Sequence, residues 1–110
     1  MERNAKRTDR VANFIKELTA QFLGRENNKT SLITVTSATA SPDLKRATIF
    51  MTVLPDSKEH NALDFAKRKR GELRDFLKKN MAVKTIPFID IQIDKGEKSR
   101  QRIDELLREK

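Results

Sequence analysis

The sequence contains no cysteine, tryptophan or tyrosine, a single histidine, three glycines and three prolines. Each scarcity removes a class of function. Without thiols there is no disulfide framework, no thiolate zinc site and no cysteine nucleophile. A single histidine, His60, excludes a His-rich metal centre. The glycines, Gly24, Gly71 and Gly96, stand isolated, so no Gly-rich loop of the nucleotide-binding kind is present. No apolar run approaches the ~18 residues of a membrane span. No apolar stretch of signal-peptide type follows the basic start Met1–Arg7. A soluble, cytoplasmic protein with no membrane contact is expected.

What the chain does have is charge. It carries 24 Lys plus Arg against 16 Asp plus Glu over 110 residues, a formal net charge of +8. That length fits one domain, 1–110. The 36% hydrophobic content suffices for one modest core. The excess is concentrated: residues 67–84 hold eight basic and two acidic side chains. The basic residues are Lys67, Arg68, Lys69, Arg70, Arg74, Lys78, Lys79 and Lys84, offset by Glu72 and Asp75. A scattered charge run is a solvated surface; a concentrated one marks a polyanion-binding face.

Periodicity supplies the elements. Residues 8–23 read as an amphipathic helix with Val11, Phe14, Ile15, Leu18 and Phe22 on one face. Thr8 or Asp9 caps its start and Gly24 stops it. Residues 1–7 are expected as a flexible basic arm, and 25–30 as a polar connector. Leu32–Ala40 is β-rich, with Ile33 and Val35 opposite Thr34 and Thr36. Ser41-Pro42-Asp43-Leu44 is a turn. Lys45–Leu54 alternates Ala47, Ile49, Met51 and Val53 with Arg46, Thr48, Phe50 and Thr52, and the short connection makes the two strands an antiparallel hairpin.

A second helical pattern runs from about Lys58 to Asn80, begun by Asp56 or Ser57. Its apolar stripe (Ala62, Phe65, Ala66, Leu73, Phe76, Leu77) is interrupted at Lys69, Arg70 and Gly71. Charge on a buried stripe and glycine in a helix interior both destabilise, so a bend is predicted there. A third strand is expected from about Lys84 to Asp94, with Pro87 at an edge or irregular entry. Lys95–Glu97 then turns into a short C-terminal helix, 99–109, with Ile103, Leu106 and Leu107. The class is α+β: α-β-β-α(kink)α-β with a closing helix, the helices on one face of a three-stranded sheet.

Candidate chemistry is thin. His60 sits in a polar helix start beside Glu59, but adjacent helical residues do not face each other. Asp90 and Asp94 share a strand face, which is also how a strand presents carboxylates to water. No catalytic residue, cofactor or metal ligand is assigned, and no enzymatic activity is expected. A bend in a basic helix, in contrast, combines backbone N–H donors with neutralising cations, which is what a phosphate backbone requires. Lys69, Arg70 and Gly71 lie at the bend, with Lys67, Arg68, Arg74, Lys78, Lys79 and Lys84 around it. The N-terminal Arg3, Lys6, Arg7 and Arg10 offer a second contact patch or a solvated tail. Phe14, Phe22, Phe65 and Phe76 read as core, and Phe50 and Phe88 could face either way. Shape and backbone recognition of structured RNA is favoured over base stacking.

Several segments together resemble the ribosome-binding factor A family of bacterial small-subunit assembly factors. They are Arg7-x-x-Arg10-Val11 opening the first helix, Val35-Thr36 to Ser41-Pro42-Asp43-Leu44-Lys45-Arg46-Ala47 at the hairpin, Gly71-x-Leu73-Arg74-x-x-Leu77 with Ile86-Pro87, and Arg102-Ile103-Asp104-Glu105-Leu106-Leu107. The resemblance spans nearly the whole chain, in order and register. It implies a type II KH-like fold. It also implies binding to the small ribosomal subunit and its immature rRNA near the neck. The implied role is late subunit maturation and rRNA end processing, often important in the cold. Where the family places an Ala-x-Gly kink, this chain has Lys69-Arg70-Gly71. The sequence ends soon after the closing helix, without a long family-type tail. A monomer is expected when the protein is free. The alternatives are a general KH-like module for RNA or single-stranded DNA, and an interaction domain for an acidic protein.

Overall fold

Alternating Ala47, Ile49, Met51 and Val53 predicts a strand buried on one face, and this strand is the centre of the molecule. The computed structural model describes residues 2–26, 31–83 and 85–108, with side chains from residue 7 onward. Strands β1 (Leu32–Ala40), β2 (Arg46–Leu54) and β3 (Phe88–Ile93) form one sheet in that order. β1 pairs antiparallel with β2 through the Ser41–Leu44 turn, and β3 pairs parallel with β2. A parallel partner needs a crossover. Two helices supply it, α2 (Glu59–Arg68) and α3 (Arg70–Asn80), after a short 3-10 turn at Asp56–Lys58. Helix α1 (Glu2–Glu26) packs on β1 and α3, and α2 packs on β2 and β3.

The core lies between the sheet and these three helices. Ile15, Leu18, Phe22 and Leu23 of α1 meet Ala62, Ala66, Leu73 and Leu77 of α2 and α3 over Ile49, Met51, Ile89 and Ile91. The predicted fold class holds, and the bend falls where the broken stripe placed it, at Lys69.

Five expectations need correction. Helix α1 starts at Glu2, so residues 2–7 continue the helix rather than forming an arm. Ala, Arg, Lys and Glu favour helix, and no proline intervenes. The same helix runs past Gly24 to Glu26; Gly24 has no positive φ, so it makes no left-handed cap. Residues 27–30 of the expected connector lie outside the described residues. β3 begins at Phe88, after Pro87, because proline has no N–H to give the ladder. Phe14, read as core, is 42% exposed; it lies at the edge of the apolar face, one residue before buried Ile15.

The fifth concerns the closing helix α4 (Lys95–Arg108), which starts four residues earlier than expected and buries no residue. Its stripe of Ile103, Leu106 and Leu107 is exposed. Polar ties hold it instead. Asp94 caps its start, with the Glu97 N–H donating to Asp94 Oδ1 at 3.0 Å. Thr36 Oγ1 donates to Asp94 Oδ2 at 2.6 Å. The Glu97 peptide first, and Thr36 second, hold the Asp94 carboxyl below the usual carboxylate range. Lys98 pairs with Glu59 at 2.9 Å and Arg102 with Asp56 at 3.4 Å. Thr36 reaches Asp94 because it is the extra residue of a β-bulge between Val35 and Ser37. The bulge also returns Ala38 and Ala40 to the inward face occupied by Ile33 and Val35.

Candidate nucleic-acid interface

The α2–α3 junction is made by one residue. Lys69 sits at φ −87°, ψ 4°, the bridge region, and its N–H donates to the Phe65 and Ala66 carbonyls at 3.1 and 3.2 Å. The α3 helix resumes at once, with the Leu73 N–H bonded to the Lys69 carbonyl at 2.8 Å. No side chain caps the start of α3. Gly71 is not the hinge: it has no positive φ, and a Cβ there would meet nothing within 4 Å. Gly71→Ala is therefore expected to raise stability by about 0.5–1 kcal/mol through helix propensity. A thermal melt reads that change, and an RNA titration of the same variant reads whether phosphate needs the bare backbone.

The junction divides the basic run between two sides. Lys69 is turned toward α1. Its ammonium lies 3.1 Å from Glu72 and 4.0 Å from Glu26, and 5.9 Å from the centre of the Phe65 ring. Lys79 lines the same side, with Phe22 and Phe76. A long side chain is tolerated at the bend because carboxylates receive its charge. On the other side, Lys67, Arg68 and Arg70 line a groove with Lys58. Arg74, Lys78 and Gly71 line the adjoining groove with Thr85 and Ile86. Lys67, Arg68 and Lys78 make no ion pair among the described residues. Arg70 Nε donates to the Lys67 carbonyl at 3.2 Å, and Arg74 Nη2 to the Ile86 carbonyl at 3.5 Å. Among the described residues neither guanidinium makes an ion pair, and Glu72 and Asp75 line the second groove beside Arg74.

Lys84 lies outside the described residues. Arg7 and Arg10 are exposed on α1, but they do not join this surface. Beyond the core, the ring and charge contacts of α1 with α2 and α3 include Phe22, Arg25 and Glu26, near the C-terminal end of α1. Arg10 is some 24 Å from Glu26 along the helix axis. Two basic residues that the charge run did not include join the same end of the sheet. Phe88 N–H donates to the Lys45 carbonyl at 2.8 Å, and Arg46 is the register partner of Phe88. Only the parallel pairing of β2 with β3 reveals this.

The residues considered for catalysis are used structurally. His60 Nε2 meets Asp64 Oδ2 at 3.2 Å, with the two side chains 86% and 57% exposed. Asp90 accepts from the Ile91 N–H and Gln92 Nε2, both at 2.9 Å. Among the described residues, no group of three or more His, Cys, Asp or Glu is placed to hold a metal ion. No helix among them is long and apolar enough to cross a membrane.

Known proteins converge on one family. The family model described as ribosome-binding factor A matches residues 7–107. The ribosome-binding factor A of Beutenbergia cavernae is 35% identical over 109 residues, covering 94% of this chain and 67% of that protein. That of Alkalilimnicola ehrlichii is 31% identical over 117 residues, covering 99% of this chain and 90% of that protein. Among solved structures, the crystal structure of ribosome-binding factor A from Thermus thermophilus superposes with a TM-score of 0.71 at 16% identity, over 78% of this chain and 93% of that one. A solution structure of a Thermotoga maritima protein, a putative ribosome binding factor A by its description, gives 0.70 at 23% identity, over 84% and 91%. The fold match and a sequence match over nearly the whole length agree: the chain belongs to the ribosome-binding factor A family.

Proposed function

We propose that this protein is a cytoplasmic, non-catalytic assembly factor that binds the immature small ribosomal subunit and its rRNA as a monomer, supporting late maturation and rRNA end processing. The contact surface is the outer side of the α2–α3 bend: Lys67, Arg68, Arg70, Gly71, Arg74 and Lys78. One observation carries this reading. The concentrated charge is sorted by the fold, with Lys69 and Lys79 on the α1 side and Lys67, Arg68, Arg70, Arg74 and Lys78 lining two grooves on the other. Open cations along grooves suit a phosphate backbone, and the half-buried Phe65 and Phe76 are not free stacking platforms. Family membership supports the ribosomal partner. So does a Thermus thermophilus homology model fitted into the cryo-EM map of a 30S complex with ribosome binding factor A, which superposes with a TM-score of 0.66.

The test is sedimentation of the tagged protein with isolated small subunits, large subunits and random RNA at two salt concentrations. Binding to small subunits that falls by orders of magnitude between about 50 and 200 mM salt is expected, with weak binding to the other two. Equal binding to all three would make the protein a general nucleic-acid module. Complexes that survive nuclease but dissociate in salt would point to an acidic protein partner.

A further inference from the structure

We infer that Phe88, beside the Arg70 guanidinium and in register with Arg46, is a stacking site for an unpaired base of single-stranded RNA. This deepens the proposed reading of the same surface and rests on it. Three rings in the described chain lie beneath a cation: Phe76 under Arg25, Phe65 under Lys69 and Phe88 under Arg70. The first two are half-buried, and Phe76 also packs on Phe22 with centroids 5.7 Å apart. Phe88 is different, because it is 54% exposed. It opens β3, which is last in the sheet and pairs only with β2.

Its surroundings are built rather than loose. Buried Pro87 precedes it, and its N–H is held by the Lys45 carbonyl at 2.8 Å. The Arg70 guanidinium stands 5.5 Å from the ring centre, and Arg70 is itself bonded to the Lys67 carbonyl. Exposed Arg46 is the register partner across β2. An exposed aromatic ring with one guanidinium beside it offers a base a π-face and offers the adjacent phosphates positive charge. A duplex hides its base faces, so the ligand is a single strand. The peptide groups of β3 also fit a base edge. The bonds from Phe88 and Asp94 to β2 set the even-numbered residues toward β2, so Ile89 presents its peptide groups along the open edge beside the ring. Further along, the Ile91 N–H is already taken by Asp90 Oδ1 at 2.9 Å. The exposed aliphatic residues Ile103, Leu106 and Leu107 of α4 have no such cationic setting.

The test uses Phe88→Ala and Phe88→Trp against three probes of equal length: a single-stranded RNA, an abasic strand and an RNA duplex. Phe88→Ala is expected to weaken the single strand by about tenfold or more. The slope of affinity against salt should stay unchanged, and so should affinity for the other two probes. Phe88→Trp should retain affinity. Because the chain has no other Trp and no Tyr, its fluorescence reports the site alone. Quenching by the single strand but not by the abasic strand is the stacking signature. Phe88→Ala that binds the single strand as the parent does, or that loses the same factor on every probe, overturns the stacking site alone. A parent protein that binds none of the probes overturns the RNA-binding reading with it.

Discussion

Reversing the charge of Lys67, Arg70 and Arg74 together (each to Glu) is expected to lower affinity for small subunits at least about 100-fold. A hydrogen bond to a charged group is worth about 1.5–3 kcal/mol net, and about 1.4 kcal/mol is tenfold in affinity. The slope of log affinity against log salt should fall by about two to three, since each phosphate contact contributes roughly 0.7–0.9. Quantitative co-sedimentation across a salt series measures both. The three side chains lie at groove rims on the outer side of the bend, so the thermal midpoint should change little. Neutralising Lys69 and Lys79 (each to Gln) is the informative contrast. Both carry the same formal charge in the same run, yet the fold turns them toward α1, where Glu26 and Glu72 meet Lys69. Their loss should change affinity by only a few-fold. Equal losses from the two sets would sink the division of the run that the bend creates.

Ile91→Ala should have the largest effect on stability. Ile91 is 0% exposed, pairs in register with Ile49 (also 0% exposed), and lies beneath the α2–α3 crossover. Removing its side chain leaves a cavity among packed neighbours, at about 2–5 kcal/mol. For a domain of this size each kcal/mol moves the thermal midpoint by about 4–8 °C. Differential scanning calorimetry should therefore show a fall of tens of degrees at the upper end, or no cooperative transition at 37 °C. Leu106→Ala on α4 should cost no more than about 0.5 kcal/mol, because Leu106 is 60% exposed. The sequence places both residues in apolar stripes; only burial separates them. A Leu106→Ala melt as low as that of Ile91→Ala would mean that α4 packs where its side chains are exposed here.

Much of the fold is legible in one dimension because strong periodicities are local. The alternation through Ala47, Ile49, Met51 and Val53 determines β2 and its buried face, and the same alternation marks β1 and β3. The broken stripe at Lys69–Gly71 locates the bend, since a helix cannot keep a cation and a glycine on a buried stripe without rearranging. Element ends were less legible. Helix-favouring residues extend α1 to Glu2, and an Asp94 cap starts α4 early; both depend on competition between local signals. The bulge at Thr36 was missed, although the step from Ile33 and Val35 to Ala38 and Ala40 records it.

The candidate site divides along the same line. That the positive charge is concentrated within residues 67–84 is determined by sequence alone, because net charge over a short stretch needs no fold to be concentrated. Which cations remain open is a tertiary matter. Lys69 is removed by carboxylates on α1 and α3, and Arg7 and Arg10 are set apart by the length of α1. Arg46 and Phe88 are joined by a parallel pairing between segments 42 residues apart in the chain. Composition and period act within a few residues, whereas register and helix docking act between distant ones. For this protein, the sequence determined the architecture and the sign of the concentrated charge, and the packing of α1, α3 and β3 decided which of those side chains stay open.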